Sequence, residues 1–145
     1  HVASYGKDFQ NEYRLIDLLE AINKIDGIER IRLGSVEPLL ITEEFMARLS
    51  KLEKICHHFH LSLQSGCTET LKRMNRRYTI EEFEIIVNRL RSYYEDVILT
   101  TDIIVGFPDE SEDETVNGDG DILYFGDEED APKEDSISWD EMVGN

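Results

Sequence analysis

Apolar residues recur at helical spacing in "YRLIDLLEAINKI", Tyr13 to Ile25, through Leu15, Ile16, Leu18, Leu19, Ile22 and Ile25. Gly27 stops the pattern, as a glycine just past a helix end does. The period then shortens in "IERIRLGSVEP", a β-rich run closed by Pro38. Thr42 is a good N-cap for "ITEEFMARLSKL", which has Glu43 and Glu44 in its first turn and Phe45, Met46, Leu49 and Leu52 on one side. His58 to Gln64, "HFHLSLQ", predicts a strand, and "CTETLKRM", Cys67 to Met74, a short helix. Thr79 caps "IEEFEIIVNRLRSYY", whose Phe83, Ile86, Val87 and Leu90 point inward. "DVILTTDIIVGF" is an almost continuously apolar strand, and Pro108 ends it.

With a further strand expected near His1, strands and helices alternate along the chain. Alternation of this kind implies an α/β fold with a parallel sheet and right-handed helical crossovers, in a barrel or a doubly wound sheet. Functional groups in either fold gather at the carboxyl ends of the strands. Those ends read Ser35-Val36-Glu37, Gln64-Ser65-Gly66 and Gly106-Phe107-Pro108.

After Pro108 the pattern fails. Residues 109–145 hold 15 acidic residues and one Lys, against 17 acidic and 14 basic residues in 1–108. The net charge of −17 therefore describes a near-neutral domain followed by an acidic tail. The tail has one apolar island, Ile122 to Phe125, and a lone Trp139, a composition that predicts disorder. Its "NGDGD" lacks the spacing and closing Glu of an EF-hand loop. Apolar runs are too short to span a bilayer, so no membrane segment is expected. Two cysteines without a secretory signal suggest reduced thiols and a cytoplasmic location. An intervening strand would hold Cys56 and Cys67 roughly 35 Å apart, beyond the ~7 Å that a disulfide spans. A start at His-Val-Ala-Ser-Tyr-Gly resembles the middle of a protein, and suggests a fragment or excised domain.

Several residues could carry chemistry. Cys56, His57, His58, His60 and Cys67 are of metal-ligand type, but of the histidines only His58 and His60 share a strand face, with Ser62 and Gln64. No C-x-x-C or H-E-x-x-H is present, and polar residues entering a strand are the favoured reading. Cys67, near a helix start, has no evident base for nucleophilic work. "KRMNRRY" places Lys72, Arg73, Arg76 and Arg77 directly after the strand end, where they suit an anion, whether a carboxylate or a nucleic-acid phosphate. Asp102 stands in an otherwise apolar strand, where a carboxylate needs a partner. It is either a structural acceptor or, with Glu37, a ligand group.

"IRLGSVEP", "FHLSLQSGCTETLKRMNRRYT" and "TTDIIVGFP", in this order and spacing, closely resemble the central region of radical S-adenosylmethionine methylthiotransferases. The nearest branch resembles the enzymes that methylthiolate threonylcarbamoyladenosine beside the anticodon of tRNA. The resemblance covers residues 1–108, and "HVASYG" is similar to the end of that domain's second strand. It implies a partial, TIM-like (β/α) barrel of the radical-SAM type, open at one side. It also implies a 4Fe–4S cluster held by a C-x-x-x-C-x-x-C loop, S-adenosylmethionine on the open iron, and tRNA as partner through the full-length protein. Carried over by position, Glu37, Gln64, Ser65, Arg76 and Asp102 would line the S-adenosylmethionine pocket. Arg76 would pair with the methionine carboxylate, and the other four would hydrogen-bond ribose, amine or substrate.

The departures are as informative. No C-x-x-x-C-x-x-C is present, so no residue of this chain is expected to bind metal or to be catalytic. The tail after "GFPDESEDET" does not match the family, and its charge would repel tRNA. The expectation is an inactive fragment of such an enzyme. The alternative is a non-catalytic binding module with an acidic partner-binding arm. An incomplete barrel would leave edge strands near residue 1 and at Ile98 to Phe107 open to self-association.

Overall fold

The computed structural model describes residues 2–111 and Glu114. Four helices, α1 (Leu15–Asn23), α2 (Glu43–Leu49), α3 (Thr68–Arg73) and α4 (Ile80–Tyr93), accompany two strands, β1 (His58–Gln64) and β2 (Ile98–Ile103). Short 3-10 turns occupy Val2–Ser4 and Pro38–Leu40. None of the described helices is long and apolar enough to cross a membrane.

β1 and β2 run parallel, with His58 opposite Ile98 and Leu61 opposite Thr101. The α3–α4 crossover joins them, as a parallel pair requires. β1 has strict alternation: Phe59, Leu61 and Leu63 are fully buried, and the four residues between and around them are half-exposed. One face of this strand is core and the other is open. Helix α4 packs Phe83, Ile86, Val87 and Leu90 into the same core as Phe45, Met46 and Leu49 of α2. The architecture is an incomplete α/β barrel segment, and the described residues form no closed barrel.

The strand expected in 28–37 reduces to two isolated parallel bridges, Ile31 to Ile55 and Val36 to Leu61. The two bridges differ in offset by one residue, so a continuous ladder between them is impossible. The extra residue lies on the β1 side, between Ile55 and Leu61. Val36 still donates to His60 O at 2.8 Å and accepts from Ser62 N at 3.2 Å. β1 therefore lies between β2 and this segment. The strand expected near residue 1 is instead the turn at Val2–Ser4. Gly6 follows it at φ +77°, and a Cβ there would lie 2.2 Å from Tyr13 O. Arg14 pins this approach, donating from Nη1 to Gly6 O at 2.9 Å and Tyr13 O at 2.8 Å.

Local chemistry sets the helix ends. Thr42 Oγ1 accepts from Phe45 N at 3.1 Å to open α2. Thr79 and Glu82 form a reciprocal capping box on α4. Arg48 ties α2 to α1 through Asp17 at 2.6 Å and Glu20 at 2.8 Å, and holds both carboxyls below their usual range. β2 exposes Ile98 and Ile103, and Ile104 and Val105 beyond it are also exposed, so its outer side is uncovered among the described residues. Beyond Pro108, Glu114 Oε2 meets Arg73 Nη2 at 2.8 Å and accepts from Ser111 N at 2.8 Å. The disorder expected of the acidic tail otherwise concerns residues outside those described.

Two buried tyrosines make opposite demands. Tyr78 Oη donates onto Ser62 O and Leu63 O of β1. Tyr94 Oη is buried with no hydrogen-bond partner, its ring packed 5.9 Å from Phe59. Burial pushes both phenols from 10.0 up to about 12. The folded state keeps these protons longer than the unfolded chain, so stability is complete below pH 10 and falls as pH rises toward about 12. Tyr78→Phe is expected to cost about 1–2 kcal/mol in urea unfolding at pH 7, whereas Tyr94→Phe costs nothing or stabilises. Each variant should also flatten part of the alkaline limb.

Candidate functional site

The end of β1 is built by three residues, two through side chains and one through its backbone. A register shift lies between Leu61 and Gln64. Thr101 Oγ1 fills it, donating to Leu61 O at 2.7 Å and accepting from Leu63 N at 3.1 Å. Gln64 then turns the chain at φ +77°, a left-handed conformation that costs a non-glycine residue about 1–2 kcal/mol. Its carbonyl accepts from Ile104 N at 2.8 Å, and this bond keeps the turn in place. Ser65 is buried, and its Oγ accepts from Cys67 N at 3.1 Å, which sets the entry to α3.

α3 ends in a Schellman motif. Asn75, at φ +57°, donates to Lys72 O at 3.0 Å, and Arg76 N donates to Leu71 O at 2.8 Å. Two residues later Tyr78 anchors the segment on β1. "MNRRYT" is thus a rigid connector, and Arg76 is the side chain it aims. Arg76 Nη1 lies 3.7 Å from Glu37 Oε2, both groups being about three-quarters covered. The pair lines a cleft of about 660 Å³ with Lys7, Arg77, Leu39 and Met74. Lys7 and Arg77 are exposed, and among the described residues they join no ion pair. Three cations against one carboxylate give this cleft a positive balance, suited to an anionic group.

Asp102 lies apart from the cleft lining, on the open face of the sheet, where its Oδ2 is 3.2 Å from His60 Nε2. His60 Nδ1 is 3.0 Å from Thr100 Oγ1. Of the five residues proposed from sequence, Glu37 and Arg76 meet at the cleft. Gln64 and Ser65 form the turn between β1 and α3, and Asp102 lies on the open face beside His60. Sequence reasoning set His60 aside as strand polarity and gave Tyr78 and Thr101 no role. Pairing between strands is what gives Thr101 and His60 their partners, and no spacing in one strand reveals it. His57 belongs elsewhere: it pairs with Asp96 at 2.6 Å and packs 4.1 Å from the Tyr94 ring. That contact holds the Asp96 carboxyl below its usual range.

Cofactor fit divides in two. Cys56 and Cys67 are free thiols, and no group of three metal-ligating side chains exists among the described residues. With two cysteines in the whole chain, a three-cysteine cluster loop has no place in it. The cleft, by contrast, has the volume and mixed lining of a small-ligand site.

A parallel strand pair joined by a helical crossover, with a charged cleft at Glu37 and Arg76, defines a segment of an α/β barrel. The Radical SAM superfamily model matches residues 1–117, and the chain belongs to that superfamily. The chain is 46% identical over 114 residues to the tRNA-2-methylthio-N(6)-dimethylallyladenosine synthase of Alkaliphilus oremlandii, covering 79% of this chain and 24% of that protein. The synthase of the same name from Caldicellulosiruptor saccharolyticus is 45% identical, with the same coverage. That from Thermoanaerobacter sp. (strain X514) is 44% identical, again over 79% and 24%. The chain thus spans about a quarter of the length of these relatives.

The connector makes a direct prediction. Asn75→Gly should leave stability unchanged or slightly raised, whereas Asn75→Val, β-branched at positive φ, should cost about 1–2 kcal/mol by urea unfolding. Equal effects of the two would contradict the Schellman geometry.

Proposed function

We propose that this chain is the adenosyl-binding wall of a radical S-adenosylmethionine enzyme that methylthiolates an N6-substituted adenosine of tRNA. The observation that carries this reading is the Arg76–Glu37 pair across a positive cleft beside the carboxyl end of β1. Arg76 holds the methionine carboxylate, and Glu37 takes the ammonium or a ribose hydroxyl. Gln64 and Ser65 fix the turn at the rim, and Asp102 offers a further acceptor. When bound, S-adenosylmethionine supplies the adenosyl and methyl groups that the family's chemistry uses. With two cysteines this sequence holds no C-x-x-x-C-x-x-C loop, so on this reading the chain alone is inactive, and its cytoplasmic tRNA partner is reached through the full-length family protein.

Two substituents compete for the substrate. The branch that the sequence resembles favours N6-threonylcarbamoyladenosine, and the names of the relatives favour N6-dimethylallyladenosine. One experiment addresses both levels. Residues 2–114 replace the matching quarter of the Alkaliphilus oremlandii synthase, and methylthio incorporation is measured on tRNA carrying either substituent. Activity on either tRNA, with Arg76→Ala lowering kcat/KM at least about tenfold, supports the reading. Full activity of Arg76→Ala and Glu37→Gln, in a chimera that retains the cluster cysteines, would contradict it. The substituent turned over faster decides the branch. Reconstitution of this chain alone with iron and sulfide should give no stoichiometric cluster absorption.

A further inference from the structure

The open face of the sheet carries a polar row that neither the core nor the cleft uses. Barrel interiors are usually filled by branched apolar side chains. Here β1 turns His58 and His60 to that side, and β2 turns Thr100 and Asp102. Arg32 Nη2 lies 3.1 Å from both ring nitrogens of His58. His58 Nε2 is 3.5 Å from Thr100 Oγ1, the longest link. Thr100 Oγ1 is 3.0 Å from His60 Nδ1, and His60 Nε2 is 3.2 Å from Asp102 Oδ2.

One assignment with both histidines neutral gives every link from His58 Nδ1 to Asp102 a donor and an acceptor, and leaves only the second Arg32 approach, to His58 Nε2, unmatched. Arg32 donates to His58, His58 Nε2–H to Thr100, Thr100 O–H to His60 Nδ1, and His60 Nε2–H to Asp102. All donors point the same way, and the series ends on a carboxylate. Aligned hydrogen bonds of this kind polarise one another. His60 is clamped at both nitrogens and one-quarter exposed, while Asp102 is 73% exposed. A solvent-facing carboxylate is ordinarily free to rotate. This one is held through Oδ2 by a ring that is itself held, and its second oxygen has no hydrogen-bond partner among the described residues.

We propose that His60 is a positioning residue, fixing Asp102 so that its free oxygen accepts from the ribose hydroxyls or amino group of an adenosyl ligand. The proposal rests on the adenosyl reading above and extends it from the cleft to the concave face. Asp102 touches the ligand, and His60 acts through Asp102. Thr100 sets the His60 tautomer, as a hydroxyl donor at Nδ1 leaves the proton on Nε2.

The test titrates S-adenosylmethionine into the full chain by calorimetry, with nitrogen NMR of the histidine rings. His60→Ala and Asp102→Asn should each weaken binding about tenfold, the worth of a charge-assisted hydrogen bond. The double variant should be no weaker than Asp102→Asn, since one interaction is lost once. His60→Gln should recover most of the affinity, because its amide nitrogen can donate from the place of Nε2. The wild-type ring should show the Nε2–H tautomer. Unchanged affinity in His60→Ala, additive losses in the double variant, or a His60→Gln as weak as His60→Ala would each overturn the proposal. Arg76→Ala separates the two levels. Loss there, with none at His60 and Asp102, removes this proposal and leaves the cleft reading. A wild-type chain that does not bind S-adenosylmethionine removes both.

Discussion

β1 has to be two things at once, and the rest of the structure follows from that constraint. Its odd-numbered residues, Phe59, Leu61 and Leu63, form the floor of the core, and its even-numbered residues face the open side. A slip of one residue would exchange the two faces. Register is therefore held from both sides, by β2 along the strand and by Val36 bonding to His60 and Ser62. The core fixes β1, and β1 places His58, His60, Ser62 and Gln64 on the open face.

The same strand sets what happens at its end. Thr101 repairs the ladder where the register shifts, and Gln64 reverses into a left-handed turn. Ser65 then launches α3, Asn75 ends it, and Tyr78 returns the chain to β1. Arg76 is aimed by that closed circuit. A guanidinium on a free loop would lose rotational freedom on meeting an anion; one on this connector has lost much of it already. Position after a strand end and local rigidity together make Arg76 a better anion ligand than Arg77, which the same segment leaves exposed.

Much of the fold was legible because it is local. The capping residues Thr42 and Thr79, the apolar faces of α2 and α4, and the alternation of β1 all sit in short windows. What was not legible depends on pairing between segments. The run from Ile28 to Glu37 has strand composition, yet its two bridges are out of step by one residue, which only the partner strand reveals. His60 looks like strand polarity until β2 supplies Thr100 and Asp102 opposite it. Arg76 and Glu37 were both named from sequence, and their meeting depends on how α3 ends. Asp102 was named as well, but its partner is a histidine and its place is outside the cleft.

The most direct test of β1 as the two-faced central strand is native-state amide hydrogen exchange on the full chain. Ser62, bonded to Val36, and Ile98, bonded to His57, should exchange only with global unfolding, in step with Leu90 of α4. Val105, exposed beyond the end of β2, should exchange far faster. Ser62 and Ile98 exchanging as fast as Val105 would contradict the account, because the strand would then be an edge and the concave face would have no fixed register.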